Sequence, residues 1–130
     1  VAFRMTGAVW GTPDATVASN TCRIDGLANP DNVTAVPGYD VLIIGEDTGT
    51  GHQNDAVWAY DLYRHELTRI FTTPYGAETT SPYFHPNVGG HGYLITVVQH
   101  PFGESDQAQL LTEDEAEAYV GYLGVFPRMD

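Results

Sequence analysis

The segment Glu46-Asp47-Thr48-Gly49-Thr50-Gly51-His52-Gln53-Asn54-Asp55 gathers three carboxylates, two side-chain amides and glycine turns into one loop. Hard cations such as calcium take about six to eight oxygen ligands, and a bent loop can offer carboxylates and backbone carbonyls together. A second oxygen-rich pair, Asp31-Asn32, lies one strand earlier. Loops at the same end of neighbouring antiparallel strands converge, so the two groups can meet. The plainer reading is a solvated hairpin loop in which Asp and Asn make Asx turns. On spacing alone that reading leads, because the loop lacks the EF-hand pattern.

Glu78 stands alone between the Tyr75-Gly76-Ala77 turn and a strand start. A carboxylate there suits a metal ligand, a general base or an exposed strand end, and without further context the last is favoured. His85, His91 and His100 are not spaced as a helical zinc pair, and the His65-Glu66-Leu67-Thr68-Arg69 run lacks the second histidine of a zincin. His100 follows a β-branched run and precedes Pro101, which puts it at a strand end. Cys22 beside Arg23 reads as an inert thiol, although a neighbouring cation can stabilise a thiolate. The chain has no Gly-x-Ser-x-Gly elbow, no P-loop and no dinucleotide glycine fingerprint. The sequon at Asn32-Val33-Thr34 carries little weight.

Charge narrows the field. The 130 residues hold 17 Asp and Glu against 5 basic residues, all arginine, giving a formal charge of −12. Nucleic-acid binding needs a basic footprint, and so does an anionic membrane surface; this chain has neither. Its acidity suits cation binding or a salty medium. A single cysteine excludes an internal disulfide and every multi-cysteine zinc motif. The longest apolar runs, such as Val41 to Ile44, are far too short to cross a bilayer. The chain starts at Val1 without a signal peptide, so we expect a mature, processed or fragmentary product.

The elements that must position these residues are short strands. Val1–Trp10 is expected as a strand closed by the Gly11-Thr12-Pro13-Asp14 turn, and Thr16–Pro30 as polar and irregular. Strands are then expected at Asn32–Val36, Val41–Gly45, Ala56–Tyr60 and Leu67–Thr73, with Val41–Gly45 buried on both faces. Thr79–Phe84 and Gly92–Gln99 follow, separated by a His85–His91 turn containing Pro86, Gly89 and Gly90. Thr112–Ala118 carries a capping-box pattern and is expected to be helical, and Tyr119–Phe126 a last strand. The class is all-β. Four short antiparallel strands in succession are the form of one β-propeller blade, and a β-sandwich is the alternative. A propeller closes with about four to eight blades. This chain supplies about two, so it is expected either not to be a propeller or to be a single segment, the C-terminal part of a larger one.

Four segments in order resemble the C-terminal region of PhoX-type bacterial alkaline phosphatases. They are Pro30-Asp31-Asn32-Val33-Thr34, Ile44-Gly45-Glu46-Asp47, Gly76-Ala77-Glu78-Thr79-Thr80 and Val97-Val98-Gln99-His100-Pro101. The likeness spans residues 29–106. It implies a multi-bladed propeller, exported to the periplasm or beyond, that hydrolyses phosphate monoesters with a cluster of iron and calcium ions. By motif match it implies Glu78 as an active-site metal ligand of catalytic importance, with Asp31, Asn32 and Glu46 as further metal ligands. The family's Thr-Pro-Trp-Gly-Thr-Trp segment and its Cys-Glu-Glu iron site have only an echo in Trp10-Gly11-Thr12-Pro13, and Cys22 lies in other surroundings. No arginine adjoins Glu78 in sequence.

The resemblance therefore implies that this segment holds part of a metal site and is not catalytic alone. Its expected partners are the remaining propeller blades, in the same precursor or another chain, and a small phosphate ester. Two other readings stay open: a non-catalytic calcium-binding propeller module, and a propeller lactonase or esterase in which calcium polarises a carbonyl.

Overall fold

A computed structural model describes residues 7, 9–18, 20–103, 108 and 119–126. Among these the protein is all-β, with nine strands in three antiparallel sheets. The helix expected at Thr112–Ala118 and most of the expected Val1–Trp10 strand lie outside the described residues; Val9 and Trp10 themselves are not in a strand.

In place of the expected Gly11–Asp14 turn and the first part of the expected irregular stretch there is a two-stranded ribbon, β1 (Pro13–Val17) and β2 (Asn20–Cys22), while residues 23–29 lie in no strand. Its polarity misleads because the pairing is fixed from outside the stretch. The Thr21 and Cys22 amides donate to the Thr50 and Gly51 carbonyls at 2.9 and 3.0 Å, so the ribbon is docked onto the glycine-rich loop.

The second sheet is a meander of β3 (Pro30–Val36), β4 (Val41–Glu46), β5 (Ala56–Asp61) and β6 (Glu66–Thr72), in that order. Its boundaries lie within a residue or two of the expectation. β4 is buried on both faces, as its apolar run requires. Ile44 joins Leu27, Ala56, Trp58 and Tyr60 in one core, while Ile43 joins Val57, Phe84 and Leu94 in the other. The sheet is thus an inner layer, covered on one side by residues around Leu27 and on the other by the third sheet. Each fully buried large side chain of this kind contributes about 1.5–3 kcal/mol.

The third sheet runs β7 (Glu78–Val88), β8 (His91–Gln99) and β9 (Tyr119–Phe126). The turn is shorter than expected, because β7 continues through Pro86 and only Gly89-Gly90 reverse the chain. A proline lacks the N–H that an inner strand needs, but β7 lies at the sheet edge, where that loss is tolerated. The glycine pair adopts φ of 61° and 90°, the left-handed values a two-residue hairpin turn demands. At Ser81 (φ 53°) and Pro82 the β7–β8 register shifts, which bends β7. Its first half lies against β3 and β4.

Candidate functional site

Glu46 ends an apolar strand and is fully buried, so its charge must find partners inside the protein. It finds four. Oε1 accepts the Ala28 amide and the Trp58 indole N–H, each at 2.7 Å. Oε2 accepts the Ala56 amide and faces His52 Nδ1, each at 2.9 Å. The other ring nitrogen of His52 lies 3.1 Å from the Arg23 carbonyl. Both nitrogens therefore face oxygen acceptors, which only the protonated ring satisfies in full. Burial opposes a charge on His52, yet the Glu46 carboxylate, the Arg23 carbonyl and nearby Asp55 together hold its pKa above the ordinary histidine value.

Asp55 closes the same loop and is buried too. Its Oδ2 accepts the Thr48 amide at 2.9 Å, and the Thr48 hydroxyl accepts the Gly51 amide at 2.7 Å. Burial raises its pKa to about 7; the Thr48 amide opposes this, and the charges of Glu46 and Asp47 add to it. Over Trp58 lies the Arg69 guanidinium, 5.3 Å from the ring centre, a cation–π contact that also donates to the Ile24 carbonyl. The glycine-rich loop is consequently an ordered, internally bonded structure rather than a solvated hairpin.

The other residues singled out in the sequence meet at the opposite side of the β4 terminus. Asn32 pairs with Gly45 across β3 and β4. Its Nδ2 donates to the Thr79 carbonyl and to Asp31 Oδ2, both at 3.1 Å. Glu78, next to Thr79, has His100 Nε2 3.8 Å from its Oε2, and the Glu78 and His100 side chains are only 15% and 30% exposed. A tight turn holds His100 in place: His100 and Phe102 take φ of 29° and 64° around Pro101, and the Phe102 amide donates to the Tyr75 carbonyl at 2.8 Å. Two pairs result: Asn32 bonds Asp31 and the Thr79 carbonyl, and Glu78 faces His100 at the end of the neighbouring strand. The Glu46 side chain points away from them into the core, while its backbone bonds Thr79.

Two loops fix this arrangement. The Gly76 amide donates to the Gln53 carbonyl at 2.9 Å and the Thr73 amide to the Asp55 carbonyl at 2.8 Å, tying the turn before Glu78 to the loop after Glu46. Gly45 leaves room for the crossing: a Cβ there would stand 2.5 Å from Asn32 Oδ1 and 2.7 Å from Thr79 Oγ1. Thr79, Trp58 and His52 were not singled out by sequence reasoning. The signal that existed was Glu46 itself, a charge closing a strand whose other residues are apolar.

Asp31, Asn32 and Glu78 offer oxygen donors, the ligand type of calcium and other hard cations. Asn32 Oδ1 is buried without a hydrogen-bond partner among the described residues, and it faces the Gly45 backbone. Among the described residues no three acidic, histidine or cysteine side chains come together at one point, so these do not by themselves make a cation site. Glu46 differs from the other three, since both its oxygens are already taken by N–H donors. The described arginines are engaged elsewhere: Arg23 with Asp25 at 2.7 Å, Arg64 with Asp61 at 4.0 Å, and Arg69 on Trp58. No helix among the described residues is long and apolar enough to cross a membrane. No family model, curated protein or solved structure matches the chain.

Proposed function

We propose that the chain is part of an exported, PhoX-like phosphatase that hydrolyses phosphate monoesters at a calcium- and iron-containing centre. The observation that carries this reading is that Asn32, bonded to Asp31, also bonds the carbonyl of Thr79, the residue after Glu78. Three of the four segments that resemble the family supply these residues and the Gly45 crossing that lets them meet; the fourth supplies His100. In this reading the four-stranded meander is one propeller blade and the β7–β9 sheet belongs to the next, and face-to-face packing of the two through Ile43, Val57, Phe84 and Leu94 supports that relation.

Glu78, Asp31 and Asn32 would hold the cations together with residues of other blades. Bound cations supply positive charge for a dianionic phosphate, which a chain at −12 would otherwise repel. Asn32 orients the Asp31 carboxylate through its Nδ2, and the His100 turn limits where Glu78 can point. Glu46, with its four N–H donors, shapes the strand end from within rather than reaching the ions.

The test is hydrolysis of p-nitrophenyl phosphate by the full-length protein, before and after EGTA treatment, with Glu78→Gln alongside. Activity lost on chelation and restored by calcium is expected, with kcat/KM lowered at least about 100-fold by the substitution. Turnover unaffected by both treatments overturns the proposal. Cleavage of p-nitrophenyl butyrate without phosphatase activity replaces it with the esterase reading, and calcium binding without any turnover replaces it with the binding module.

A further inference from the structure

The ribbon does not lie flush on the glycine-rich loop. Between β2, that loop and β6 a half-open cavity of about 160 Å³ remains, walled by Asn20, Ile24, His52, Gln53, Asn54 and Arg69. Its described walls carry no carboxylate, in a chain of net charge −12. Of the three arginines among the described residues, Arg23 and Arg64 are taken by Asp25 and Asp61. Arg69 has no carboxylate within ion-pair distance among those residues. Asp25 feels the Arg69 charge, but both its oxygens are held by Arg23, at 3.0 and 2.7 Å.

Arg69 is also held in place. Its guanidinium lies 5.3 Å from the centre of the Trp58 ring, and one N–H donates to the Ile24 carbonyl. A guanidinium carries five N–H donors. The others meet no protein acceptor among the described residues. Two lining amides keep spare capacity as well. Gln53 Oε1 faces Asn20 Nδ2 at 3.5 Å and Asn54 Nδ2 donates to the Thr73 carbonyl at 3.1 Å, which leaves Gln53 Nε2 as a donor and Asn54 Oδ1 as an acceptor without partners among the described residues. His52 supplies no donor, since both its ring nitrogens face protein oxygens.

We propose that this cavity binds a short-chain carboxylate, whose two oxygens are held by Arg69. The planar guanidinium matches a carboxylate with two parallel hydrogen bonds. Its stacking on Trp58 and its bond to Ile24 fix the plane beforehand, so little freedom is lost when the ligand arrives. Size sets the class. At about 30 Å³ per water molecule the space holds about five of them, enough for a short organic acid and too little for a nucleotide. This site is independent of the phosphatase reading, and neither stands or falls with the other.

Propionate is the probe and propionamide its neutral isostere. Saturation-transfer NMR on the ligand methyl groups, with the full-length protein at fixed ionic strength, reads both affinities. Propionate is expected to bind with a dissociation constant of about 1 mM, and propionamide at least about tenfold more weakly. Arg69→Gln and Gln53→Glu should each weaken propionate at least about tenfold, and the distant Arg64→Gln should not. Gln53→Glu keeps the oxygen that faces Asn20 and leaves Arg69 on Trp58, so its effect cannot come from lost stacking. No propionate binding to the native protein, equal binding of propionamide, native affinity in either variant, or an equal loss in Arg64→Gln overturns the proposal. Inorganic phosphate that displaces propionate at a lower concentration than propionate itself needs also overturns it, in favour of a tetrahedral anion.

Discussion

Glu46 and Asp55 are buried acids at the two ends of the glycine-rich loop, and they have opposite surroundings. Glu46 meets four N–H groups, whereas Asp55 receives the Thr48 amide and lies near two other carboxylates. Removing the first should be costly. Glu46→Ala strands the Trp58 indole, two amides and the His52 ring, and loss of one partner of a buried pair costs about 3–5 kcal/mol. Chemical denaturation should show that fall, and an unchanged midpoint would mean that water replaces the carboxylate. Asp55 behaves the other way. Its pKa of about 7 in the folded protein exceeds the unfolded value of 3.8, so the folded state binds the proton more tightly. Stability therefore falls as pH rises from about 4 to 7, and the loss is complete above that range. His52, also raised, adds to this trend: its contribution is full below the unfolded histidine value and is lost as pH climbs through the higher folded one. Asp55→Asn keeps an acceptor for Thr48 and cannot ionise. At pH 8 it should be the more stable form by on the order of 1–2 kcal/mol, allowing for residual solvation, with no difference near pH 4. Thermal melts at the two pH values test this, and equal gaps at both would refute it.

At the scale of elements, the crossing at Gly45 is the tightest constraint. Gly45→Ala would push its new methyl into Asn32 and Thr79, neither of which can yield without breaking the bonds between β3, β4 and β7. A loss of about 1–3 kcal/mol is expected, the usual cost of overpacking, readable as a lower denaturation midpoint. A midpoint within error of the native one would show that the sheets slide freely there. The four-strand meander was legible because apolar runs, turn residues and strand lengths agree with one another. Asp61, for instance, accepts the Tyr63 and Arg64 amides at 2.9 and 2.8 Å and makes the expected turn before β6. The ribbon of β1 and β2 was not legible, since its pairing depends on carbonyls of residues 50 and 51. The length of β7 was also missed: proline signals a break in an inner strand, and only the sheet order reveals that β7 is at an edge. Within the site, Asp31, Asn32 and Glu78 could be named from motifs. Thr79 could not, because a threonine in a strand is ordinary until its neighbours across the sheet are known.

At the scale of the whole molecule, the meander ends in strands that carry exposed apolar side chains. β3 and β6 flank the meander, and Val33 and Ile70 stand 61% and 38% exposed on them. Unpaired strand edges with apolar side chains invite association. The 130-residue chain alone should therefore sediment as a mixture of associated species. A monodisperse monomer that unfolds in a single two-state step would show that these edges do not drive association.

The donors around Glu46 come from positions 28, 52, 56 and 58, so three separate stretches of chain must arrive before the carboxylate is satisfied. Any intermediate that shuts water out earlier carries an unpaired charge in an apolar setting. The docking of the segment around Leu27, the closing of the loop and the seating of Trp58 are thereby bound into one kinetic event. Slowing any one of the three should slow the others equally, and a single relaxation time should govern them all.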